Sequence, residues 1–457
     1  MSDITMQSAD GRRAGRGQRR VLVSAAIGQF VEFYDFVVYA YVASTLATLF
    51  FPSHDRFASM LATFAVYAVG FGMRPLGGLL FGHLGDRIGR RGVLAAIILL
   101  MGGSTAVIGV LPTYSQIGFV APLLLIAARL VQGLSVGGEA IGSNALVAEH
   151  APDHRRGANV ALAYAFGVIP AVFAALFVLA LNNILGDAAF ESWGWRIPFL
   201  LGGVISLVGL YIRRRVSESP AFEAVRSTER VAKAPLVSVF QEHRRALGFA
   251  FVMASLSGLG FYSLTGYFPS YLTESVKLSA TDALVSNSIA LTAAFISMPL
   301  AGLLSDRIGR RPVLVIGAGT SALAAVPAYV LASSGSIGTA IAGQSLLAFT
   351  LGIFFGGVGI VWLELFPTRT RYSGAAIGLN AAYVIFGGTA PMFGTWLVGV
   401  TDSLLAPSVY LAVLATVVFL VACRLPETHR TSLLRTEDSD HATPDLTPEL
   451  EPKKATP

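Results

Sequence analysis

Apolar residues in this chain fall into about twelve runs, each near the ~20 residues that a helix needs to cross a hydrocarbon core. Read by hydropathy, the runs occupy residues 21–50, 57–84, 92–112, 116–149, 157–185, 195–213, 246–273, 280–304, 313–332, 336–366, 372–400 and 405–424. Helices of soluble proteins average only ~11–12 residues. Charged residues make up 13% of the chain, against about 25% in soluble globular proteins, too few to cover a water-facing surface. The expected fold is therefore an all-α polytopic membrane protein with twelve transmembrane helices, numbered here as spans 1 to 12, and the lipid bilayer is its solvent.

Arg12, Arg13, Arg16, Arg19 and Arg20 precede span 1 and superficially suggest a secretory signal. A signal core runs only ~7–15 residues, whereas span 1 is longer, carries Glu32 and Asp35 and lacks a small-residue cleavage site, so it is expected to be retained. Of the 33 Lys and Arg residues, 28 fall on the side of the N-terminus, the even-numbered loops and the C-terminal tail, while Arg56, Arg196 and Lys277 lie on the other. Basic loops mark the cytoplasmic side, so both termini are expected to be cytoplasmic in a plasma (inner) membrane. The net charge of +6 is then a topology signal and implies no nucleic acid. A single cysteine, Cys423, excludes an internal disulfide framework.

The hexapeptide Asp86-Arg87-Ile88-Gly89-Arg90-Arg91 recurs as Asp306-Arg307-Ile308-Gly309-Arg310-Arg311, 220 residues later and again between a second and a third span. Glu149, Pro152 and Arg156 likewise correspond to Glu364, Pro367 and Arg371. The chain thus reads as two pseudo-symmetric six-helix halves, 21–213 and 246–424. They are flanked by a basic N-terminus (1–20), a polar connector (214–245) and a tail (425–457) rich in Pro, Thr, Asp and Glu that is expected to be disordered. Carriers built from paired repeats place their site at the repeat interface near the midplane.

GHLGDRIGRRG and LLSDRIGRRP resemble the loop signature of the major facilitator superfamily. More narrowly, VEFYDFVVYAY in span 1, FGMRPLGGLLFGHLGDRIGRR, RLVQGLSVGGEA in span 4, WGWRIPF, SESPAF, FYSLTGYFPSYL in span 7, ELFPTRTRYSGAAIGLN, FGGTAP and LPET resemble its metabolite:proton symporter branch. These segments cover residues 28–428 or so. They are specific to the branch and weakly informative about any one substrate. The resemblance implies the twelve-helix major facilitator fold, alternating access and use of the proton gradient.

Topology alone requires neither an acid at a fixed place nor the same hexapeptide in both halves. Asp86, Arg87, Arg90 and Arg91, with Asp306, Arg307, Arg310 and Arg311, are therefore expected to form charge clusters that close the cytoplasmic side. Glu149 and Glu364, at the ends of spans 4 and 10, are candidates to complete them with Arg156 and Arg371. The resemblance implies the same gating role.

A charge at the bilayer centre costs ~2.5–3.5 kcal/mol on insertion scales, so each needs a partner or a wet cavity. Glu32, Asp35, Arg74, Arg129 and Glu139 are the candidates. Asp35 lies roughly 20 Å along span 1 and Glu32 roughly 16 Å, at 1.5 Å per residue. Arg stays charged, so Asp35 facing Arg129 is expected to be the proton-coupling pair. The alternative is a permanent ion pair that orders the first half. A span 1 acid facing a span 4 arginine also recurs in proton-coupled sugar and phosphate carriers of the superfamily that the chain resembles. Glu32 is the rival proton site, one turn away, and Glu139 is either a second acid in the relay or the partner of a nearby basic group. Gln132 shares the Arg129 face of span 4 at i+3. Arg74 offers a planar bidentate fork for a substrate carboxylate, or else pairs with Asp35 or Glu32. Arg196, beside Trp193 and Trp195, reads as an interfacial anchor.

Spans 7 to 12 hold no clear mid-membrane charge. Their substrate-contact candidates are Tyr262, Thr265, Tyr267, Asn287, Trp362, Asn380 and Tyr383, joined by Tyr34 and Tyr39 of span 1, with Pro269 expected to kink span 7. All seven His residues lie at span ends or in loops, which excludes a mid-membrane metal or haem site, and no phosphate loop is present. No cofactor, no required protein partner and no enzymatic activity are expected. The sequence favours secondary active, proton-coupled uptake of a small polar metabolite, an organic acid such as a mono- or dicarboxylate, by alternating access. The alternatives are symport of a zwitterionic osmolyte of the betaine or proline type, and a uniporter or drug exporter on the same fold.

Overall fold

The protein is described from a computed structural model covering residues 22–23, 26–88, 90–137, 139–213, 241–367 and 371–429. Eight of its helices are long and apolar enough to cross a membrane, and two bent pairs and two shorter apolar helices bring the number to twelve. Span 1 is the bent pair Ala26–Tyr41 and Ala43–Phe50, and span 6 the bent pair Asp187–Gly194 and Arg196–Tyr211. Spans 2, 3 and 5 are Arg56–Phe81, Gly92–Val110 and Asp153–Leu185. Span 4, Val120–Val136, is followed by the helix Glu139–His150. Spans 7 to 12 are Arg244–Ser275, Ala280–Ile308, Arg310–Ala332, Ile337–Glu364, Ser373–Thr401 and Ala406–Ala422. The order matches the twelve apolar runs.

The molecule is inside-out relative to a soluble protein. Leu76, Leu80, Val204, Leu207, Leu300 and Leu323 are exposed, while Glu32, Asp35, Arg74, Arg129, Gln132 and Asn380 are all but sealed. An outward apolar girdle of this extent is tolerable only against lipid.

The same neighbours recur in both halves. Spans 2 and 4 pack together as 8 and 10 do, spans 3 and 6 as 9 and 12 do, and the halves meet where span 5 packs on span 8 and span 11 on span 2. Small residues set the close approaches. A methyl at Gly133 or Gly137 of span 4 would overlap the carbonyl oxygens of Gly70 or Arg74 on span 2. The corresponding glycines of span 10, Gly352 and Gly356, press on Ser297 and Met298 of span 8. Small residues four apart let helix backbones touch in the absence of a hydrophobic drive between helices. Gly133→Leu is expected to lose the folded, monodisperse protein, because overpacking costs ~1–3 kcal/mol even where side chains can yield and the obstacle here is backbone. Gly72→Ala, with nothing within 4 Å of the added carbon, is the matched control in a detergent melting assay.

Spans 7 and 11 each widen into π-turns, at Ser263–Tyr267 and Tyr271–Ser275 and at Tyr383–Gly387. Pro269 and Pro391 follow just after the first and the last of these. A proline has no N–H for the ladder, and a widened turn is one way a helix absorbs that loss. The expected distortion of span 7 is thus a π-turn beside the substrate-contact candidates. The tail differs from expectation at its start: Leu425 and Thr428 are buried, and Glu427 and Thr428 bond to the start of span 9 and the end of span 10. Residues 1–20 and 430–457, and most of the connector, lie outside the described residues.

Candidate functional site

At the seam between the halves, Arg74 of span 2 collects partners from three other spans. Its Nη2 lies 3.1 Å from Glu32 Oε1 on span 1. Its Nη1 donates to the Tyr262 hydroxyl of span 7 at 3.1 Å, and its Nε to Asn380 Oδ1 of span 11 at 3.4 Å. Asn380 in turn donates to the Gly137 carbonyl at 2.9 Å, tying span 11 to the glycine contact that holds Arg74's own backbone. The guanidinium carbon sits 5.2 Å from the Tyr383 ring centre, 5.3 Å from Phe71 and 5.9 Å from Phe36. Tyr262 stands edge-on to Phe71 at 4.8 Å. The result is a buried cation and anion, mutually neutralising, inside a box of aromatic faces.

The second cluster lies within the first half and corrects the expected pairing. Asp35 and Arg129 do not form an ion pair: neither carboxylate oxygen of Asp35 has a hydrogen-bond partner, although the Arg129 charge is near enough to act on it. Arg129 instead lies on the Tyr39 ring, its guanidinium carbon 3.7 Å from the centroid, and donates to Gln132 at 2.9 Å. Gln132 donates to the Thr105 hydroxyl at 2.6 Å, and Thr105 flanks Asp35. Arg129, Gln132 and Thr105 thus form a polar chain that ends beside an unsatisfied acid. Tyr39, one turn beyond Asp35 on span 1, is the side chain that the guanidinium lies against instead. The acid that does pair with an arginine is Glu32, with Arg74.

The other candidates divide. Tyr383 joins Tyr164 (2.8 Å) and Ser257 (3.2 Å) in a hydroxyl cluster beneath the Arg74 box. Trp362 packs edge-on to Tyr164. Asn287 of span 8 accepts from Tyr41 of span 1 at 3.2 Å and donates to the Leu264 carbonyl, which links the halves away from Arg74. Tyr34 donates to the Pro198 carbonyl and Thr265 to the carbonyl one turn back on its own helix, so both hydroxyls serve helix packing rather than this site. Tyr267 lies further out, with its buried hydroxyl unbonded. The Glu139 side chain is outside the described residues. Arg196 lies 4.5 Å from the Trp195 ring and donates to two backbone carbonyls, as an anchor does.

On the basic face, Asp306 accepts from the backbone N–H groups of Gly157 (2.9 Å) and Ala158 (2.8 Å), capping the start of a span 5 helix from the other half. An anion is stabilised at a helix N-terminus. Arg310 bridges Asp306 at 2.6 Å and Glu364 at 3.3 Å, with no exposure of its side chain. Glu149 faces Arg371 across the halves at 3.8 Å, and Arg156 pairs with Asp153. The acid at the end of span 4 thus meets Arg371 of the other half, and the acid at the end of span 10 meets Arg310. Arg307 and Arg311 point outward and their side chains do not join the cluster. The side chains of Asp86, Arg87, Arg90 and Arg91 lie outside the described residues.

Two residues of this cluster were not among the candidates. Glu427 accepts from the Arg310 and Arg311 backbone N–H groups at 2.8 and 3.1 Å, and Thr428 donates to Glu364 at 2.7 Å. Their only signal in the sequence is the LPET segment at the end of span 12.

An apolar twelve-helix bundle of two repeated halves, with acids and guanidiniums buried at their seam and inside the first half, is a membrane transporter, and no active-site chemistry is needed to explain it. The chain belongs to the Major Facilitator Superfamily, whose profile matches residues 25–383 and 251–450. It is 36% identical over 437 residues to the glycine betaine/proline/ectoine/pipecolic acid transporter OusA of Dickeya dadantii, covering 94% of this chain and 86% of that one. It is 36% identical to the proline/betaine transporter of Escherichia coli K12, over 90% and 84% of the two chains. A putative proline/betaine transporter of Staphylococcus aureus COL is 37% identical over 88% and 87%. Its fold is similar to that of the proton:xylose symporter XylE bound to 6-bromo-6-deoxy-D-glucose, with a TM-score of 0.74, 21% identity and coverage of 91% and 98%.

Proposed function

We propose that the protein takes up a small zwitterionic osmolyte of the betaine or proline type together with protons, across the plasma membrane, with both termini cytoplasmic. The observation that carries this reading is the Glu32–Arg74 pair inside the aromatic box. Glu32 already neutralises Arg74, so the box has no net charge left to offset an organic acid. A net-neutral zwitterion fits it better: the carboxylate shares the Arg74 fork, while the ammonium meets Glu32 and the faces of Phe71, Tyr262 and Tyr383. Aromatic cages are a recurring recognition device for quaternary ammonium. The names of the relatives at 36–37% identity support the same substrate class and move the reading away from the mono- or dicarboxylate favoured by the sequence.

Asp35 is the proposed proton carrier. A carboxylate buried without an ion-pair partner is costly to keep charged, and the Arg129–Gln132–Thr105 chain offers a partner when the helices move. The basic-face cluster around Asp306, Arg310 and Glu364 is the proposed lock of the cytoplasmic side. Asp306→Asn removes the charge from two cross-half hydrogen bonds, each worth ~1.5–3 kcal/mol when one partner is ionised. It is expected to raise at least tenfold the labelling rate of a cysteine placed at Ala161 in a Cys423→Ser background. An unchanged rate removes Asp306 from the lock.

The reading is tested by uptake of radiolabelled glycine betaine, proline and succinate into energised cells, with and without a protonophore. Betaine or proline accumulation that the protonophore abolishes supports it. Accumulation of succinate alone would return the function to organic acid uptake.

A further inference from the structure

On the face opposite the basic one, a cavity of about 240 Å³ opens between the halves, lined by Arg56, Phe57 and Phe64 of span 2 and by Tyr267, Tyr271 and Glu274 of span 7. Arg56 and Glu274 stand at its rim, 2.8 Å apart, with side chains 65% and 36% exposed. An ion pair this open to water is weak, so each partner can exchange the other for a charge on a ligand at little loss. Deeper in the cavity, the Tyr267 hydroxyl is buried and makes no hydrogen bond, although buried polar groups are nearly always paired. Its ring lies 5.7 Å from that of Tyr271, whose own hydroxyl is satisfied by the Leu404 carbonyl at 3.0 Å. The cavity therefore offers a cation, an anion, two neighbouring rings and one unused hydroxyl.

We infer that this cavity is a second, outer binding site for a small zwitterion, separate from the Arg74 box. The ligand carboxylate takes Arg56 and the Tyr267 hydroxyl, and its ammonium takes Glu274 and the Tyr271 ring. The volume lies just below the ~300–1,000 Å³ of sites for drug-sized ligands and suits a molecule of amino-acid size. The two sites are adjacent steps on one path: Tyr262 belongs to the inner site, Tyr267 to the outer, and the π-turn Ser263–Tyr267 lies between them. That turn, with Tyr67 packed 6.5 Å from Tyr262, partitions the two. A substrate captured at the rim would wait there until the partition moves.

This inference rests on the zwitterion reading, and its test separates the two. Equilibrium dialysis of purified full-length protein against radiolabelled glycine betaine is expected to give two molecules per chain. Arg56→Gln/Glu274→Gln is expected to leave one, Glu32→Gln/Arg74→Gln also one, and the four substitutions together none. Tyr267→Phe, which breaks no bond within the protein, is expected to weaken the outer site at least fivefold, and it carries the test if the charge variants fail to fold. A wild-type stoichiometry of one that neither the rim pair nor Tyr267→Phe alters overturns the outer site and leaves the inner one standing. Absence of any betaine binding overturns both.

Discussion

Arg74→Gln is expected to abolish uptake and to destabilise the protein by ~3–5 kcal/mol, the usual cost of stranding the partner of a buried ion pair. Here the stranded group is Glu32, whose side chain has no exposure. Three further contacts go with the guanidinium, to Tyr262, Asn380 and the ring faces. Neutralising both partners separates folding from function. Glu32→Gln/Arg74→Gln removes the stranded charge and is expected to recover most of the melting temperature in detergent, yet to transport nothing, because the fork proposed to hold the substrate carboxylate is gone. Arg74→Lys retains the charge against Glu32 but lacks a planar fork to reach Tyr262 and Asn380 together, so it is expected to fold and to bind weakly. A double variant that transports normally would make the pair a purely structural one.

Asp35→Asn is expected to do the opposite: to leave folding nearly untouched and to destroy accumulation. Asp35 gives up no ion pair and no hydrogen bond on substitution, and the amide has nearly the same shape. With one proton per solute, each unit of pH difference across the membrane supports tenfold accumulation, about 1.4 kcal/mol. The variant is expected to equilibrate solute to a ratio of one at every pH while still exchanging labelled for unlabelled solute. Wild-type uptake is expected to rise as the outer pH falls, with the variant flat over the same range. Accumulation by Asp35→Asn that still tracks the pH gradient assigns the proton elsewhere, with Glu32 the next acid along span 1.

The two acids show where the sequence was legible and where it stopped. Glu32 and Asp35 are three residues apart and share one side of span 1, so their burial and their proximity to buried arginines follow from the chain alone. Their partners do not. Which arginine reaches which acid depends on the rotation of spans 2 and 4 about their axes and on how closely those backbones approach. Gly70, Gly133 and Gly137 decide that approach. Tyr39 then lies against Arg129, and Glu32 rather than Asp35 receives a guanidinium. The basic face behaves the same way. The repeated hexapeptide marks the right region, but Glu149 meets Arg371 of the opposite half, Arg307 and Arg311 turn outward, and Glu427 enters from beyond span 12 to hold the start of span 9.

The sequence by itself determined the number of spans, their order and the doubling of the fold. Apolar length and basic loops act locally, and a bilayer permits few ways to satisfy the backbone of such a run. It also marked the charges that have no purpose in lipid unless they serve a site. Only the tertiary structure decided which of those charges meet, because their pairing depends on how separate helices rotate and approach one another, from Glu32 and Arg74 on neighbouring spans to Glu149 and Arg371 in opposite halves. In a medium that cannot solvate a lone ion, a shift of an ångström or two in helix packing is enough to change the partner.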